Sequence, residues 1–460
     1  MTPSDVRTKR VTVVGGARSG RAVAKLLAEA GGDVFLTEQG PPTEGLEAML
    51  DEAGVGYEFH GHTARAVEAD FFVLSPGVPT QSNIVQQAQR SGLDIYSEIE
   101  AASWFCEAPM VGITGTNGKT TTTSLTGDVF RRALADAPER EAIVAGNIGY
   151  PFSDYVLDAG LADVVVLEVS SFQLDHVDTF RPRVSVLLNI TPDHLDRYDN
   201  DFHAYAQAKF NIFRRQREGD VVVYNHDDTL VRDYVTQAAE ARDLRALGVS
   251  LTDELDAGAF LHDDSIILRI DDEDEPLMQR DELALRGRHN LYNSLAAAVS
   301  ARVMEVESDI IRESLAGFEG VPHRLEEVRV IDDVLYVNDS KATNVNAVWY
   351  ALESFDRPVV LVAGGRDKGN DYTDLKPLVR KGVRAVVAMG ESAGTVYDEL
   401  GAEAEQRVKA RSMEEALDYA QGFAKPGDAV LLSPACSSFD MYENYEERGD
   451  LFRRLVKTLL

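Results

Sequence analysis

A strand that runs straight into a glycine-rich loop and then a helix leaves few choices of fold, and residues 109–133 read that way. Pro109, Met110 and Val111 form an apolar lead, Gly112–Thr121 reads GITGTNGKTT, and a Thr/Ser-rich run behind it opens a helix. Such a loop lies at the carboxyl edge of a parallel sheet, where backbone N–H groups and the helix N-terminus cradle phosphate oxygens. Gly115, Thr116, Asn117, Gly118, Lys119, Thr120 and Thr121 are therefore the candidate nucleotide-triphosphate loop. Lys119 suits the outer phosphates, and the Thr120 hydroxyl suits Mg²⁺. The standard spacing G-x-x-x-x-G-K-[ST] fails at Ile113, because five residues separate Gly112 from Gly118.

The same alternation of strand, glycine turn and helix recurs on both sides of this loop. Val11–Gly20 (VTVVGGARSG) is an apolar strand meeting a glycine turn, followed by the helical stretch RAVAKLLAEA, a strand at Asp33–Thr37 and another at Ala69–Gly77. This is the pattern of a doubly wound nucleotide-binding domain, ending near Ser97. Its glycines depart from G-x-G-x-x-G, so a dinucleotide enzyme built on it is disfavoured. A central domain at 98–320 follows, in which Ala162–Val169 and Val184–Ile190 read as parallel strands buried on both faces. The polar, acidic stretch Thr252–Glu282 reads as hairpins or a surface insertion. Residues 321–460 form a third α/β domain, with strands at Val334–Asn338, Val359–Ala363, Ala385–Met389 and Ala429–Ser433. The expected class is thus α/β with three domains. They are an N-terminal Rossmann-like domain (1–97), a central P-loop-type ATPase domain with a mostly parallel sheet (98–320) and a C-terminal Rossmann-like domain (321–460).

Composition narrows the setting. Against 46 Lys and Arg stand 77 Asp and Glu, a net charge of −31, which excludes nucleic acid as a partner since nothing here neutralises a phosphate backbone. An acidic surface poor in lysine points to adaptation to high salt, where screening removes self-repulsion. No apolar run of about 18 residues exists, so no membrane span is expected. The first ten residues carry no apolar signal-peptide segment, and two cysteines, Cys106 and Cys436, fit a reducing cytoplasm.

Several polar residues sit where an α/β sheet meets ligands. Glu168 interrupts an apolar strand near its carboxyl end, a position that costs several kcal/mol in desolvation unless the carboxylate is paired or bound to metal. His194, in NITPDHLDRY, follows the next strand and is a candidate for a second divalent site. Lys209, in FHAYAQAKFNIF, reads from its own surroundings as a solvated lysine on a helix. Further on, PHRL (322–325), NDSKATN (338–344), AGGRDKGN (363–370) and SPACSSFD (433–440) are loops with Arg, Lys, Ser and Asp suited to anions and ribose hydroxyls.

Taken together and in this order, GTNGKTT, EVSSFQL (168–174), TPDHLDRY, NDSKATN and SPACSSFD resemble the Mur ligases, ATP-dependent amide-forming enzymes of peptidoglycan precursor synthesis. GTNGKTT alone would admit the wider group that includes folylpolyglutamate synthases. The fuller set resembles the branch that joins D-glutamate to UDP-N-acetylmuramoyl-L-alanine, and the resemblance covers the whole chain. It implies ATP and Mg²⁺, a cytoplasmic monomer, a first domain for the UDP-substrate, and a C-terminal domain that binds the amino acid and completes the ATP site. Lys119, Glu168, His194 and Lys209 would be catalytic, with Thr120, Glu168, His194 and Lys209 around magnesium. The resemblance also reverses the reading of Lys209, which matches a position that carries a carbamate. Asn290 would face adenine, and Arg324 and Asp339 would hold phosphate and ribose. Ser75 matches a uridine-site position and Asn147 a muramyl contact. Lys341, Thr343, Lys368, Ser438 and Tyr445 would bind the amino-acid substrate. Two departures stand out. Many relatives carry an Asp near the uracil after the second strand, where this chain has Thr37 and Glu38, and Tyr445 stands where some have Phe.

Overall fold

The computed structural model describes residues 1–271, 273–367 and 369–459; the expected amino-acid ligand Lys368 lies outside the described residues. Three sheets account for the strands. The first has five parallel strands in the spatial order Gly56–Glu58, Asp33–Thr37, Arg10–Val14, Phe71–Leu74 and Asp94–Ser97. Against it packs the helix Arg18–Glu29, which buries Ala22, Val23, Leu26 and Leu27, the spacing of one apolar helical face.

The second sheet has nine strands. Met110–Thr114 lies in it between Val184–Leu187 and Val164–Glu168, and beyond these come Val221–Asn225 and Arg245–Ser250 on one side and Ala142–Gly146 on the other. All of those neighbours are parallel. The acidic stretch expected to form hairpins does so: Gly258–His262, Ser265–Arg269 and Asp274–Gln279 pair antiparallel and extend this sheet. The third sheet runs Glu326–Ile331, Val334–Asn338, Ala429–Leu432, Val359–Ala363, Val383–Ala388, Gln406–Lys409, and only its first pair is antiparallel.

The chain divides into two compact units, Met1–Leu283 with Tyr292–Gly317, and Ala284–Leu291 with Phe318–Leu460. The first two sheets share one unit, and buried carboxylates join them. The short helix Glu98–Ser103 follows the last strand of the first sheet. Its Glu100 accepts from Trp104 Nε1 (2.9 Å), from the backbone N–H groups of Asp178, Thr179 and Phe180 (3.0, 2.8 and 2.8 Å), and from Thr179 Oγ1 (2.5 Å). Residues 178–180 lead into the strand Val184–Leu187 of the second sheet, so one side chain satisfies donors on both sides of the joint. Glu98, fully enclosed, accepts from both the N–H and the Oγ of Ser153 at 2.7 Å, and burial pushes its pKa up to about 7. Arg197 donates to Val78 O (3.1 Å) and Gln81 to Arg197 O (3.0 Å) across the same joint.

Candidate active site

The glycine loop sits at the carboxyl end of Met110–Thr114, and the helix Lys119–Ala133 begins directly behind it. Gly118 caps that helix at φ +86°, a left-handed conformation that favours glycine, and a Cβ there would lie 2.3 Å from Asn293 Oδ1. Asn189, just past the strand Val184–Leu187, holds the loop from the side. Its Oδ1 accepts from Asn117 N–H (2.8 Å), its Nδ2 donates to Asn117 O (3.0 Å), and its carbonyl accepts from Thr116 N–H (2.8 Å). Thr116 Oγ1 donates to Thr191 O and lies 3.0 Å from Tyr205 Oη. A loop braced this way keeps its N–H vectors aimed before a ligand arrives, which lowers the ordering cost of binding.

Two lysines converge on this loop. Lys119 Nζ donates to Gly115 O and Thr116 O, both at 2.9 Å. Lys209 Nζ donates to Gly115 O at 2.7 Å and lies 4.8 Å from the centroid of the Tyr205 ring. The reading of Lys209 as solvated is corrected here, since only 2 % of the residue is exposed. It lies on the helix Phe202–Phe210, whose Tyr205, Ala206, Ala208 and Phe210 are also buried, so this helix end is enclosed on several sides. Burial, reinforced by the charge of Lys119, lowers the Lys209 pKa well below the ordinary lysine value, against the opposing pull of Asp193, Asp175 and Glu168. Both burial and the Lys119 charge act against the charged ammonium.

Glu168 ends the strand Val164–Glu168 and is almost fully buried. Asn147 Nδ2 donates to its Oε1 at 2.7 Å, and Asn147 N–H to its carbonyl at 2.8 Å, so the AGNIG loop and the carboxylate form one cluster. His194 lies in the loop after Val184–Leu187 at φ +52°, edge-on to Phe172 at 5.2 Å. Among the described residues no three His, Cys, Asp or Glu side chains form a metal cage. The donors that are present, the Thr120 hydroxyl in the first turn of a helix and the Glu168 carboxylate on the neighbouring strand, suit an ion that takes one or two protein oxygens and completes its shell with phosphate and water. Mg²⁺ behaves in that way.

The other compact unit carries most of the remaining candidates. Asp339 follows Val334–Asn338, is buried, and accepts from Ser433 Oγ (2.8 Å) and Leu325 N–H (3.2 Å); burial pushes its pKa up to about 7. Arg324 closes an isolated bridge with Val321. Lys341 Nζ lies 5.0 Å from the Tyr445 ring centroid, and Thr343 N–H donates to Lys341 O (2.9 Å). Ser438 is buried, and its carbonyl accepts from Met441 and Tyr442 N–H. Asn290 Nδ2 donates to Arg286 O at 2.8 Å. What sequence reasoning missed is Arg448, 1 % exposed, which donates to Ser340 Oγ (2.9 Å), Ser340 O (2.7 Å) and Cys436 O (3.2 Å). It ties together the two loops that hold Lys341 and Ser438. Asn189 and Tyr205 were likewise not singled out, although both lie within stretches read for His194 and Lys209.

In the first sheet, Ser75 Oγ donates to Gly15 O (3.3 Å). Glu38 accepts from Gly16 N–H (2.7 Å) and Gly40 N–H (2.8 Å), and Thr37 is fully buried beside it. These groups line the carboxyl edge of the strands Arg10–Val14, Asp33–Thr37 and Phe71–Leu74, where open α/β sheets bind ligands.

Comparison with known proteins gives three family matches. Residues 10–84 match the MurD N-terminal domain, 113–301 the Mur ligase middle domain, and 323–436 the Mur ligase glutamate ligase domain. A UDP-N-acetylmuramoylalanine–D-glutamate ligase of Salinibacter ruber is 75 % identical over 460 residues, covering all of both chains. One from Chloroherpeton thalassium is 45 % identical, again over both full lengths. Among solved structures, the UDP-N-acetylmuramate–alanine ligase of Thermotoga maritima superposes with a TM-score of 0.59 at 18 % identity, covering 98 % of this chain and 99 % of that one. At that identity the likeness speaks for the fold alone.

Proposed function

This chain belongs to the Mur ligase family, and from that premise we infer that it joins D-glutamate to UDP-N-acetylmuramoyl-L-alanine, with ATP converted to ADP and phosphate. The full-length similarity to D-glutamate ligases carries the assignment. The loop, its two lysines and Glu168 give it a chemical basis.

The reaction takes two steps. An oxygen of the alanyl carboxylate attacks the γ-phosphorus of ATP, the bond to the β-phosphate oxygen breaks, and an acyl phosphate and ADP result. The amine of D-glutamate then attacks the acyl carbon, phosphate leaves, and the nitrogen gives up a proton. Lys119 and the N–H groups of the loop offset the charge that develops during transfer, the main source of rate in such enzymes. Thr120 and Glu168 would hold Mg²⁺, with His194 proposed beside it, and the ion would supply further neutralisation of the phosphate charge. Lys209, buried and with its ammonium form disfavoured, is suited to attack CO₂ as the free amine. Its nitrogen forms the new bond to carbon and releases a proton, leaving a carbamate, and the product is a carboxylate-like oxygen donor where an amine stood. Asn147 and Ser75 are proposed for the UDP-sugar. Asn290, Arg324 and Asp339 are proposed for the nucleotide, and Lys341, Thr343, Ser438 and Tyr445 for D-glutamate. The enzyme is proposed to act as a monomer in the cytoplasm.

The test is ADP release with ATP, Mg²⁺ and UDP-N-acetylmuramoyl-L-alanine, with amino acids added singly. Release that requires D-glutamate is expected. Release driven by another amino acid, or by none, would overturn the substrate assignment. For Lys209, a carbamate carbon resonance in ¹³C-bicarbonate that persists in Lys209→Met would refute the carbamate.

A further inference from the structure

At the carboxyl edge of the first sheet three side chains form a hydrogen-bond chain whose direction is fixed by chemistry. Thr37 Oγ1 lies 2.7 Å from Glu58 Oε1 and 2.7 Å from His62 Nδ1. A carboxylate only accepts, so the single hydroxyl hydrogen of Thr37 goes to Glu58. The Thr37 oxygen then has only lone pairs to offer His62, and the hydrogen between them must sit on Nδ1. Glu58 stays ionised in this arrangement: burial alone would raise its pKa, but Thr63 Oγ1, Thr37 Oγ1 and Thr63 N–H all donate to it and hold it below its ordinary value. Burial likewise outweighs the nearby carboxylates of Glu58 and Glu38 and lowers the pKa of His62, so the ring is neutral. With Nδ1 protonated and the ring neutral, Nε2 is a bare acceptor. It has no hydrogen-bond partner among the described residues and is not enclosed.

We propose that His62 Nε2 reads the pyrimidine of the nucleotide-linked substrate by accepting its N3–H, and so selects uridine over cytidine. Uracil presents a hydrogen at N3, whereas cytosine presents a lone pair there, which would face the lone pair of Nε2. Thr37 is buried at the end of the strand Asp33–Thr37, and the imidazole that stands on it turns its own acceptor away from that contact. Glu38 already accepts one N–H on each carboxylate oxygen, from Gly16 and Gly40, whereas Nε2 of His62 accepts none among the described residues. The inference rests on the reading that the substrate is UDP-linked.

The experiment compares kcat/KM for UDP-N-acetylmuramoyl-L-alanine and its CDP counterpart, by ADP release, in the wild type, in His62→Ala and in Thr37→Val. Wild type should prefer uridine by roughly tenfold or more, the size of one hydrogen bond lost plus a repulsion gained. His62→Ala should lose most of that preference through a higher KM for the UDP substrate, with the KM for ATP unmoved as a check on the fold. Thr37→Val keeps the imidazole but frees its tautomer, and should also lose preference; it decides the matter if His62→Ala is unstable. Undiminished uridine preference in a folded variant, or a wild type indifferent to the base, overturns the inference and leaves the ligase intact. A wild type that uses neither nucleotide overturns the ligase reading and the inference with it.

Discussion

Gly118→Ala tests the phosphate loop more sharply than removing any of its side chains, because it adds one carbon and takes nothing away. The structure gives two separate costs. An alanine held at φ +86° costs about 1–2 kcal/mol relative to glycine. The new Cβ would also stand 2.3 Å from Asn293 Oδ1, which accepts from Thr122 Oγ1 at 3.1 Å. That amide end can turn aside, which limits the second cost to the buried hydrogen bond, about 1 kcal/mol. In the free enzyme the loop relieves this by shifting. To cradle phosphate it must return, so about 2–3 kcal/mol should reappear as a roughly 30- to 150-fold lower kcat/KM for ATP. Gly92→Ala is the control. Gly92 has φ +71° with nothing within 4 Å of a Cβ, just after the helix Asn83–Arg90, so it carries the first cost without the second and lies far from the loop in sequence. It should lower stability by about 1–2 kcal/mol and leave kcat/KM for ATP within about twofold. The assay is steady-state ADP release alongside thermal melting. A Gly118→Ala enzyme within threefold of wild type would show that the loop does not need its left-handed cap.

Three further outcomes follow from the same geometry. Lys119→Ala should lower turnover by roughly 100-fold or more, read as kcat for ADP release, and near-normal turnover would rule out the phosphate clamp. Glu98→Gln keeps the shape and an acceptor for Ser153 but cannot ionise. Because the folded pKa of Glu98 is raised from 4.5 to about 7, wild type loses stability as pH climbs through that window. The melting temperature of the variant relative to wild type should therefore rise between about pH 5 and 7 and level off above, and a constant difference across pH would refute the assignment. Arg448→Met leaves Ser340 O and Cys436 O without their buried donor and should destabilise by about 2–4 kcal/mol in denaturant titration. The Lys341 and Ser438 loops should loosen with it, raising the KM for D-glutamate more than that for ATP.

The sequence was most legible where chemistry and backbone coincide locally. The glycine loop and Glu168 each declare a strand end within a few residues, and the structure places both on neighbouring strands of one sheet. Lys209 was misread from its surroundings because the stretch around it mixes polar and apolar residues. Its burial depends on packing at the end of the helix Phe202–Phe210, and the short reach to Gly115 O is invisible until the fold brings together residues far apart in sequence. The chain Thr37–Glu58–His62 was hidden for another reason. Glu58 belongs to a strand of three residues, too short to announce itself, and the pairing of that strand with Asp33–Thr37 sets the contact. Val221–Asn225 is a contrary case, since VVVYN is a plain buried-strand run and was simply not singled out. Arg448 left no signal, because a buried arginine looks in sequence like any surface one on a charged helix.

The carboxylate joint between the first two sheets has a metric consequence. Glu100 collects donors from both sides of that joint, and Glu98 adds Ser153 to it, so the carboxyl edge of the first sheet and the glycine loop stand as two marks on one scale. A sugar nucleotide laid along it would deliver its carboxylate to Lys119 only if its own length matches the spacing. Molecules shorter or longer by one saccharide or one residue would be refused by distance, even where every individual contact is available to them.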